Sequence, residues 1–220
     1  MAFNIPKLLD HSISAIREFA SQHPGEHFYA FAIDASLLCL NSEEEFAKKL
    51  KSYRDRDARR RRIITDLHEV TAEDMQDFAA DMRMDKVDIG NPDDCRKYVL
   101  KRHQLLYPYS IQREPSHQSP EHIAALRGNT GDWAYQGFAT LTEKDGFDEA
   151  AYDTHYYRDG GGPDDDDIDE DDLDDEPSEQ APSEYAVAMN ELIERIRNSG
   201  ALNALKLTHD FYATLVSHNY

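Results

Sequence analysis

The clearest fold signal in the sequence is His27-Phe-Tyr-Ala-Phe-Ala-Ile-Asp34, which is followed after a short turn by Leu37-Leu-Cys-Leu40. Both runs are apolar at nearly every position, so an extended chain would carry apolar side chains on both faces. The intervening Asp34-Ala35-Ser36 has the composition of a turn. We therefore predict a β-hairpin at the centre of a buried sheet.

Helices are predicted on both sides of this hairpin. Apolar residues recur at helical spacing over residues 7–22, and Pro24-Gly25 ends that helix. Ser42-Glu-Glu-Glu45 has the form of a capping box, which predicts that a second helix begins there and continues to about Glu69. One more strand is predicted over residues 133–141, and further helices over residues 71–82, 91–100, 119–126, 147–157, 184–198 and 202–218.

This mixture predicts an α+β fold, with a small, mostly antiparallel sheet covered by several helices. A length of 220 residues fits one domain, spanning residues 1–220. Residues 159–184 are predicted to form a flexible, disordered acidic loop within that domain, before two C-terminal helices. The reason is that Gly160-Gly-Gly-Pro163 is followed by carboxylates that repel one another.

Charge is distributed very unevenly along the chain. The formal net charge is −20, from 24 Lys+Arg and 44 Asp+Glu. Residues 159–184 hold 14 acidic residues and no lysine or arginine, so the rest of the chain carries only −6. Residues 48–62 hold nine basic residues against two acidic ones, a net +7, and end in four arginines, Arg59 to Arg62.

Several interpretations of these charged segments stay open. The acidic segment is a solvated linker or an arm that docks on a basic protein. A calcium loop is a weaker third option, because the run lacks the alternating ligands and the glycine of such loops. The basic segment is the solvated face of a long helix, a partner-binding patch, or a surface for the chain's own acidic loop. The negative field opposes direct binding of nucleic acid. The candidate partner-binding residues in the acidic segment are Asp164, Asp165, Asp166, Asp167, Asp169, Glu170, Asp171 and Asp172.

A second candidate surface is Asn129-Thr-Gly-Asp-Trp-Ala-Tyr-Gln-Gly-Phe138. In a structural role, its polar residues would form a tight turn and its aromatic residues would pack the sheet. In a functional role, Asp132, Trp133 and Tyr135 would anchor a partner protein, because exposed aromatic side chains are strong interface anchors. An enzyme would instead need a pocket of convergent polar groups around Asp132 and Tyr135.

Patterns for catalysis or metal binding are weak in this sequence. His23 and His27 are separated by Pro24-Gly25, so one helix cannot hold both, and the two cysteines are isolated. Cys39 lies in an apolar run, which is typical of a core thiol. There is no Gly-x-Ser-x-Gly elbow and no glycine-rich phosphate loop. We expect a non-enzyme without metal or cofactor.

The sequence also predicts a cytoplasmic protein that does not bind membranes. No run approaches the roughly 18 apolar residues that a membrane helix needs. The first residues, Met1-Ala-Phe-Asn-Ile-Pro-Lys7, lack the basic region and apolar run of a signal peptide. Two cysteines are too few for a disulfide framework.

Several of these segments resemble an uncharacterised bacterial family of small α/β proteins: residues 27–34, Leu38-Cys-Leu-Asn-Ser-Glu43, Asn129 to Phe138, and the ending from Ala188 to Tyr220. The basic stretch from Arg54 to Arg62, the following helices to about Gln118, and the acidic run do not match that family and look like elaborations. The family implies no established catalytic residues. Proteins of this kind are similar to immunity proteins that neutralise toxins delivered by type VI or related secretion systems.

The resemblance thus implies a non-catalytic inhibitor that occludes a cognate toxin with a basic surface, such as a nuclease. The alternative is a regulatory or scaffold module whose acidic and basic segments pair with each other or with a partner, for example in a homodimer.

Overall fold

The computed structural model describes residues 3–81, 91–106, 118–158 and 182–216. The fold is α+β, as predicted, and the described residues form seven α-helices and one four-stranded sheet. The chain divides into two compact units. We call Met1–Phe46 with Asn129–Tyr220 the sheet unit, and Ala47–Gly128 the helical unit. That residues 1–220 form one domain stays a prediction.

The sheet is built on the predicted hairpin of β1 (His27–Asp34) and β2 (Leu37–Ser42). β3 (Tyr135–Thr140) pairs antiparallel with β2, and β4 (Lys206–Leu215) pairs parallel with β1. The strand order is β3-β2-β1-β4, so the sheet is mixed. In β1 every residue except His27 is buried, as the apolar runs predict.

The predicted final helix over residues 202–218 is wrong. A short 3₁₀ helix, Ala201–Ala204, leads instead into β4. Leu207, Phe211, Ala213 and Leu215 occupy alternate positions, which is the period of a strand rather than that of a helix. Hydrogen bonding to β1 decides the outcome, so only one of the two expected C-terminal helices forms.

Helices α1 (Ile5–Gln22), α6 (Glu149–Arg158) and α7 (Glu184–Asn198) belong to the sheet unit. Ser183 caps α7, and Gly200 just beyond it adopts φ of +74°, the left-handed conformation expected there. The main core of this unit includes Leu8, Ile16, Phe28, Phe31, Ile33, Leu38, Leu40, Met189, Leu192 and Ile196.

The helical unit contains most of α2 (Glu43–Thr65), followed by α3 (Ala72–Asp81), α4 (Pro92–Leu106) and α5 (Pro120–Gly128). The predicted second helix ends earlier than expected, and a 3₁₀ turn, Leu67–Glu69, follows it. In one core cluster of this unit Ile63, Val70 and Val99 are buried, with Met75, Phe78 and Leu100 packed against them. Four more of its described apolar residues are buried: Ile64, Ala79, Cys95 and Leu126.

The predicted acidic loop over residues 159–184 lies outside the described residues, apart from its last three positions. Across the described ranges, no helix combines the length and the apolar character that crossing a membrane requires.

Candidate functional site

The turn that precedes β3 is held by its own polar side chains. Asn129 accepts a hydrogen bond from the Gly131 N–H at 3.2 Å and donates one to Asp132 at 2.8 Å. The hydroxyl of Thr130 donates to the buried carboxylate of Asp34 at 2.7 Å. This bond ties the turn to the end of β1, so the first half of the motif serves the fold.

Trp133 continues this arrangement into the core. It is only 5% exposed, and its ring lies 6.2 Å from that of Tyr29 in an edge-to-face arrangement. Next to it, the Ala134 N–H donates to Asn41 at 3.4 Å, and the Asn41 amide donates to the Tyr29 hydroxyl at 2.9 Å. Trp133 is thus placed inside the sheet unit, while Asp132 is a half-buried turn residue.

The glycine of Tyr135-Gln-Gly-Phe138 makes a bulge in β3. Gly137 has φ of +66°, a conformation that favours glycine. Leu38 pairs with Ala139 and Leu40 pairs with Tyr135, so β3 uses four steps where β2 uses two. The two extra residues change the direction of the strand. The ring of Tyr135 then lies 4.9 Å from that of Phe19, near the end of α1.

Tyr135 joins a group of polar residues that we call the Glu26 cluster: His23, Glu26, Ser42 and Tyr135. The Tyr135 hydroxyl donates to Glu26 Oε1 at 2.6 Å, and the Ser42 hydroxyl donates to Glu26 Oε2 at 2.5 Å. His23 Nδ1 lies 3.0 Å from Glu26 Oε1, and its ring stacks on Phe19. Each carboxylate oxygen of Glu26 therefore has at least one partner.

Proton affinities in this cluster are shifted in a consistent way. Burial alone would raise the pKa of Glu26, but hydrogen bonds from Ser42, Tyr135 and His23 outweigh it and lower the pKa. Burial, together with the hydrogen bond to Glu26, raises the pKa of Tyr135. A general base needs a raised carboxyl pKa and a general acid needs a lowered phenol pKa. Both shifts run the other way, so this geometry fixes a negative charge rather than moving a proton.

Ser42 is fully buried and also caps α2, since its oxygen accepts the Glu45 N–H at 3.2 Å. A buried hydroxyl committed to a helix cap and a carboxylate is not positioned to attack a substrate. The predicted start of α2 at Ser42 is therefore confirmed, and this serine also holds Glu26. The Ser42 N–H donates to Asn41 at 3.1 Å, whereas the sequence predicts a return bond from Glu45.

An acidic rim surrounds the start of α2. Glu43, Glu44 and Glu45 form its first turn, where the helix dipole stabilises carboxylates. Glu44 accepts from the His27 N–H at 2.9 Å and lies 2.8 Å from His27 Nδ1. Burial opposes ionisation of Glu44, but these bonds to His27 lower its pKa overall. We call Glu26, Glu43, Glu44 and Glu45 the acidic rim.

Two cavities are lined by described residues. A groove of about 390 Å³ in the sheet unit lies between α1 and β3, with His11, Phe19 and Phe138 among its walls. A cavity of about 460 Å³ in the helical unit is lined by arginines. Asp132 and Tyr135 line neither of these two cavities.

The cysteines and possible metal ligands give little chemistry. Burial raises the pKa of Cys39 to about 11, so this thiol stays protonated and weakly nucleophilic at neutral pH. In the described part of the chain, no group of three or more His, Cys, Asp or Glu side chains is arranged to hold a metal ion.

The described residues of the predicted site do not form one exposed partner-binding surface. Asp132, Trp133 and Tyr135 lie in one segment, but Trp133 is buried and only Tyr135 reaches the Glu26 cluster. The eight residues of the acidic segment, from Asp164 to Asp172, lie outside the described residues. The sequence missed Glu26 as the centre of the cluster, because its partners at Ser42 and Tyr135 are distant in the chain and no local pattern links them.

Comparison with protein-family models, with curated proteins and with solved structures finds no match for this chain.

Proposed function

We propose that the protein is an immunity protein, which binds a cognate secreted antibacterial toxin and neutralises it by occlusion, without catalysis of its own. The observation that carries this proposal is the concentration of negative charge in one part of the chain. Residues 159–184 hold 14 carboxylates and no cation, and the acidic rim adds four carboxylates in the described part of the sheet unit.

The partner that fits this charge is a basic protein. Enzymes that act on nucleic acids carry positive charge where phosphates bind, and an acidic inhibitor can occupy that surface in place of the phosphates. Long-range attraction also speeds the encounter of the two proteins. A nuclease toxin is therefore the partner class that we favour.

The Glu26 cluster supports a binding role in a different way. Three donors hold the Glu26 carboxylate in one position, and its lowered pKa keeps it ionised at neutral pH. A fixed carboxylate can offer a preorganised acceptor to a cationic partner with little ordering cost.

The test is co-expression with the products of the neighbouring genes, each first assayed for toxicity on its own, followed by measurement of growth and of complex formation. The proposal expects restored growth and a stable complex with the wild-type chain. A toxic neighbour that stays toxic and forms no complex with this chain would overturn it.

A charge-neutral variant tests whether the acidic segment contacts the toxin or is only a linker. In this variant the 11 acidic residues of 164–176 become Asn or Gln, so the length of the chain is unchanged. If the segment contacts or steers the toxin, association slows, and most strongly at low salt. If association is unchanged at every salt concentration, the segment is a linker and the acidic rim becomes the next surface to mutate.

The second candidate is a regulatory or scaffold module. The observation that favours it is the basic α2, because a chain that carries both a net +7 segment and a net −14 segment has complementary surfaces of its own. A mass that falls from dimer to monomer as salt rises would favour this function.

A further inference from the structure

The cavity in the helical unit is rich in arginine, and the proposed toxin binding assigns no role to it. Its volume is about 460 Å³, and it is lined by α2, α3 and α4. Four arginines contribute to its walls: Arg56, Arg59, Arg60 and Arg102. We call this cavity the arginine pocket.

Two of these arginines lie against aromatic rings. The guanidinium of Arg56 lies 4.5 Å from the ring centre of Tyr53, and that of Arg102 lies 5.5 Å from the ring centre of Phe78. Such stacking limits the freedom of a long side chain before a ligand arrives. A bound anion then costs less ordering than it would at a free surface arginine.

Acidic groups also face the pocket and neutralise part of its charge. Arg59 is committed to the fold, with Asp74 at 2.8 Å and Glu73 at 3.3 Å. Asp74 is nearly buried and Asp77 is exposed. With four arginines against Asp74 and Asp77, the lining keeps a net charge of +2. Burial first, and then Arg60, Arg102 and Arg59, lower the pKa of His103 in the same wall, against the pull of Asp74, which fits a positive local field.

The inner surface of the pocket is apolar. Ile63 and Val99 belong to the core of the helical unit, and Phe78 packs against them. At the edge, Leu106 is 56% exposed. A fully hydrated anion would leave this surface uncovered, so the pocket suits an acidic chain that also carries an aliphatic side chain.

The protein's own sequence contains such a chain. Residues 164–176 hold 11 carboxylates, interrupted only by Ile168 and Leu173. The two aliphatic side chains can cover the apolar inner surface of the pocket, which we call the apolar floor. The carboxylates can pair with the arginines. Each copy of the chain carries one pocket and one acidic segment, so two copies can exchange segments and form two contacts at once.

We propose that the arginine pocket binds residues 164–176 of a second copy of this chain. This inference deepens the second candidate function and rests on it. It assigns residues 164–176 to a second copy of this chain, so a toxin that binds the same segment would compete with the dimer.

The first experiment measures self-association of the full-length chain by light scattering at low and high salt. Wild type is expected to be a dimer at low salt and a monomer at high salt, while the charge-neutral variant of residues 164–176 is a monomer at both. A wild-type chain that is a monomer at all salt concentrations would overturn the proposal, including the case in which each chain holds its own segment.

The second experiment locates the contact. A fluorescent synthetic peptide of residues 164–176 is titrated into the charge-neutral full-length variant, whose pocket has no competing segment. Arg56→Gln with Arg60→Gln is expected to weaken peptide binding by about tenfold or more. The matched control is Lys48→Gln with Lys49→Gln, which removes the same charge from α2 outside the pocket and is expected to change affinity by about twofold at most. Equal losses of peptide affinity in the two variants would mean that the peptide is attracted by the overall positive charge of α2. That result would overturn the proposed binding in the pocket.

The third experiment tests the apolar floor with the same peptide. Ile168→Ser with Leu173→Ser keeps every carboxylate and is expected to weaken binding by about tenfold. Unchanged affinity would show that the apolar floor does not contact the peptide and would contradict the proposal. Thermal unfolding of each protein variant by circular dichroism confirms that the helical unit is intact, and the toxin-relief assay is scored separately.

Discussion

The sheet unit and the helical unit differ in both charge and construction. Ala47–Gly128 carries 17 Lys+Arg against 14 Asp+Glu, a net +3, so the sheet unit carries −23. The sheet unit contains a large aromatic and aliphatic core around β1, whereas the core cluster described in the helical unit has three buried residues, Ile63, Val70 and Val99. The helical unit also contains local ion pairs such as Arg59–Asp74.

This difference also bears on the resemblance seen in the sequence. The segment that we predict not to match the resembled family, from Arg54 to about Gln118, falls within the helical unit. The described residues of that unit contain a core cluster of their own. That they are an elaboration of a family fold stays a prediction.

The largest expected effect comes from truncating the two cores. Phe31 is fully buried in β1, and Phe31→Ala should destabilise the sheet unit by about 3–5 kcal/mol. Val99→Ala removes less buried surface and should cost the helical unit about 2 kcal/mol. Trp133 is the single tryptophan and lies in the sheet unit, so its fluorescence reports on that unit, while far-UV circular dichroism reports on all helices.

If the units unfold separately in urea, Phe31→Ala moves the fluorescence transition and Val99→Ala moves mainly the circular dichroism transition. If both variants move both signals together, residues 1–220 unfold as one cooperative domain and the contrast between the units disappears.

A smaller effect is expected from two threonine hydroxyls, one in each unit. Thr130→Val removes the donor to the buried Asp34 carboxylate and should cost about 1.5–3 kcal/mol. Thr71→Val in the helical unit removes a part-buried cap of α3 and should cost about 1 kcal/mol, because Asp74 keeps its ion pair with Arg59. Urea midpoints measure both, and a larger loss at Thr71 than at Thr130 would contradict this ranking.

Tyr135→Phe tests the Glu26 cluster and should cost about 1 kcal/mol at neutral pH, because Glu26 loses one donor. The folded pKa of Glu26 lies below its usual 4.5, so the stabilisation is complete above that pH and is lost as pH falls through the lower folded value. The difference between wild type and Tyr135→Phe should therefore shrink below about pH 4.5. A difference that stays constant down to acid unfolding would assign the loss to packing instead.

The smallest effect is expected at the exposed pair of Lys51 and Asp55 on α2. Lys51→Ala should change stability by about 0–0.5 kcal/mol, since exposed pairs are well solvated. A loss above about 1 kcal/mol in the same urea assay would mean that single surface pairs hold the helical unit together.

Local signals in the sequence predicted the local structure well. The apolar runs predicted the hairpin, and Ser42 predicted the start of α2. The helix predicted over residues 184–198 is α7. These features depend on neighbouring residues, so a short stretch contains the information that determines them.

Features that depend on distant residues were missed. β4 was predicted as a helix because its partner, β1, lies far away in the sequence and its alternating pattern is half-exposed. The strand over residues 133–141 was predicted too long, since a 3₁₀ turn, Thr130–Asp132, and the buried Trp133 precede β3. The Glu26 cluster draws on α1's end, β2 and β3, and no local periodicity brings Glu26, Ser42 and Tyr135 together.

The parallel pairing of β1 with β4 has a consequence for biosynthesis. The partner of residues 27–33 on this edge, residues 206–215, is synthesised near the end of the chain. One hydrogen-bonding edge of β1 therefore has no β4 to pair with while the whole helical unit is synthesised. Closing a loop of this length is entropically costly and slow compared with forming a helix. The helical unit has local contacts and can fold during this interval, which makes the last strand the step that commits the sheet to its final form.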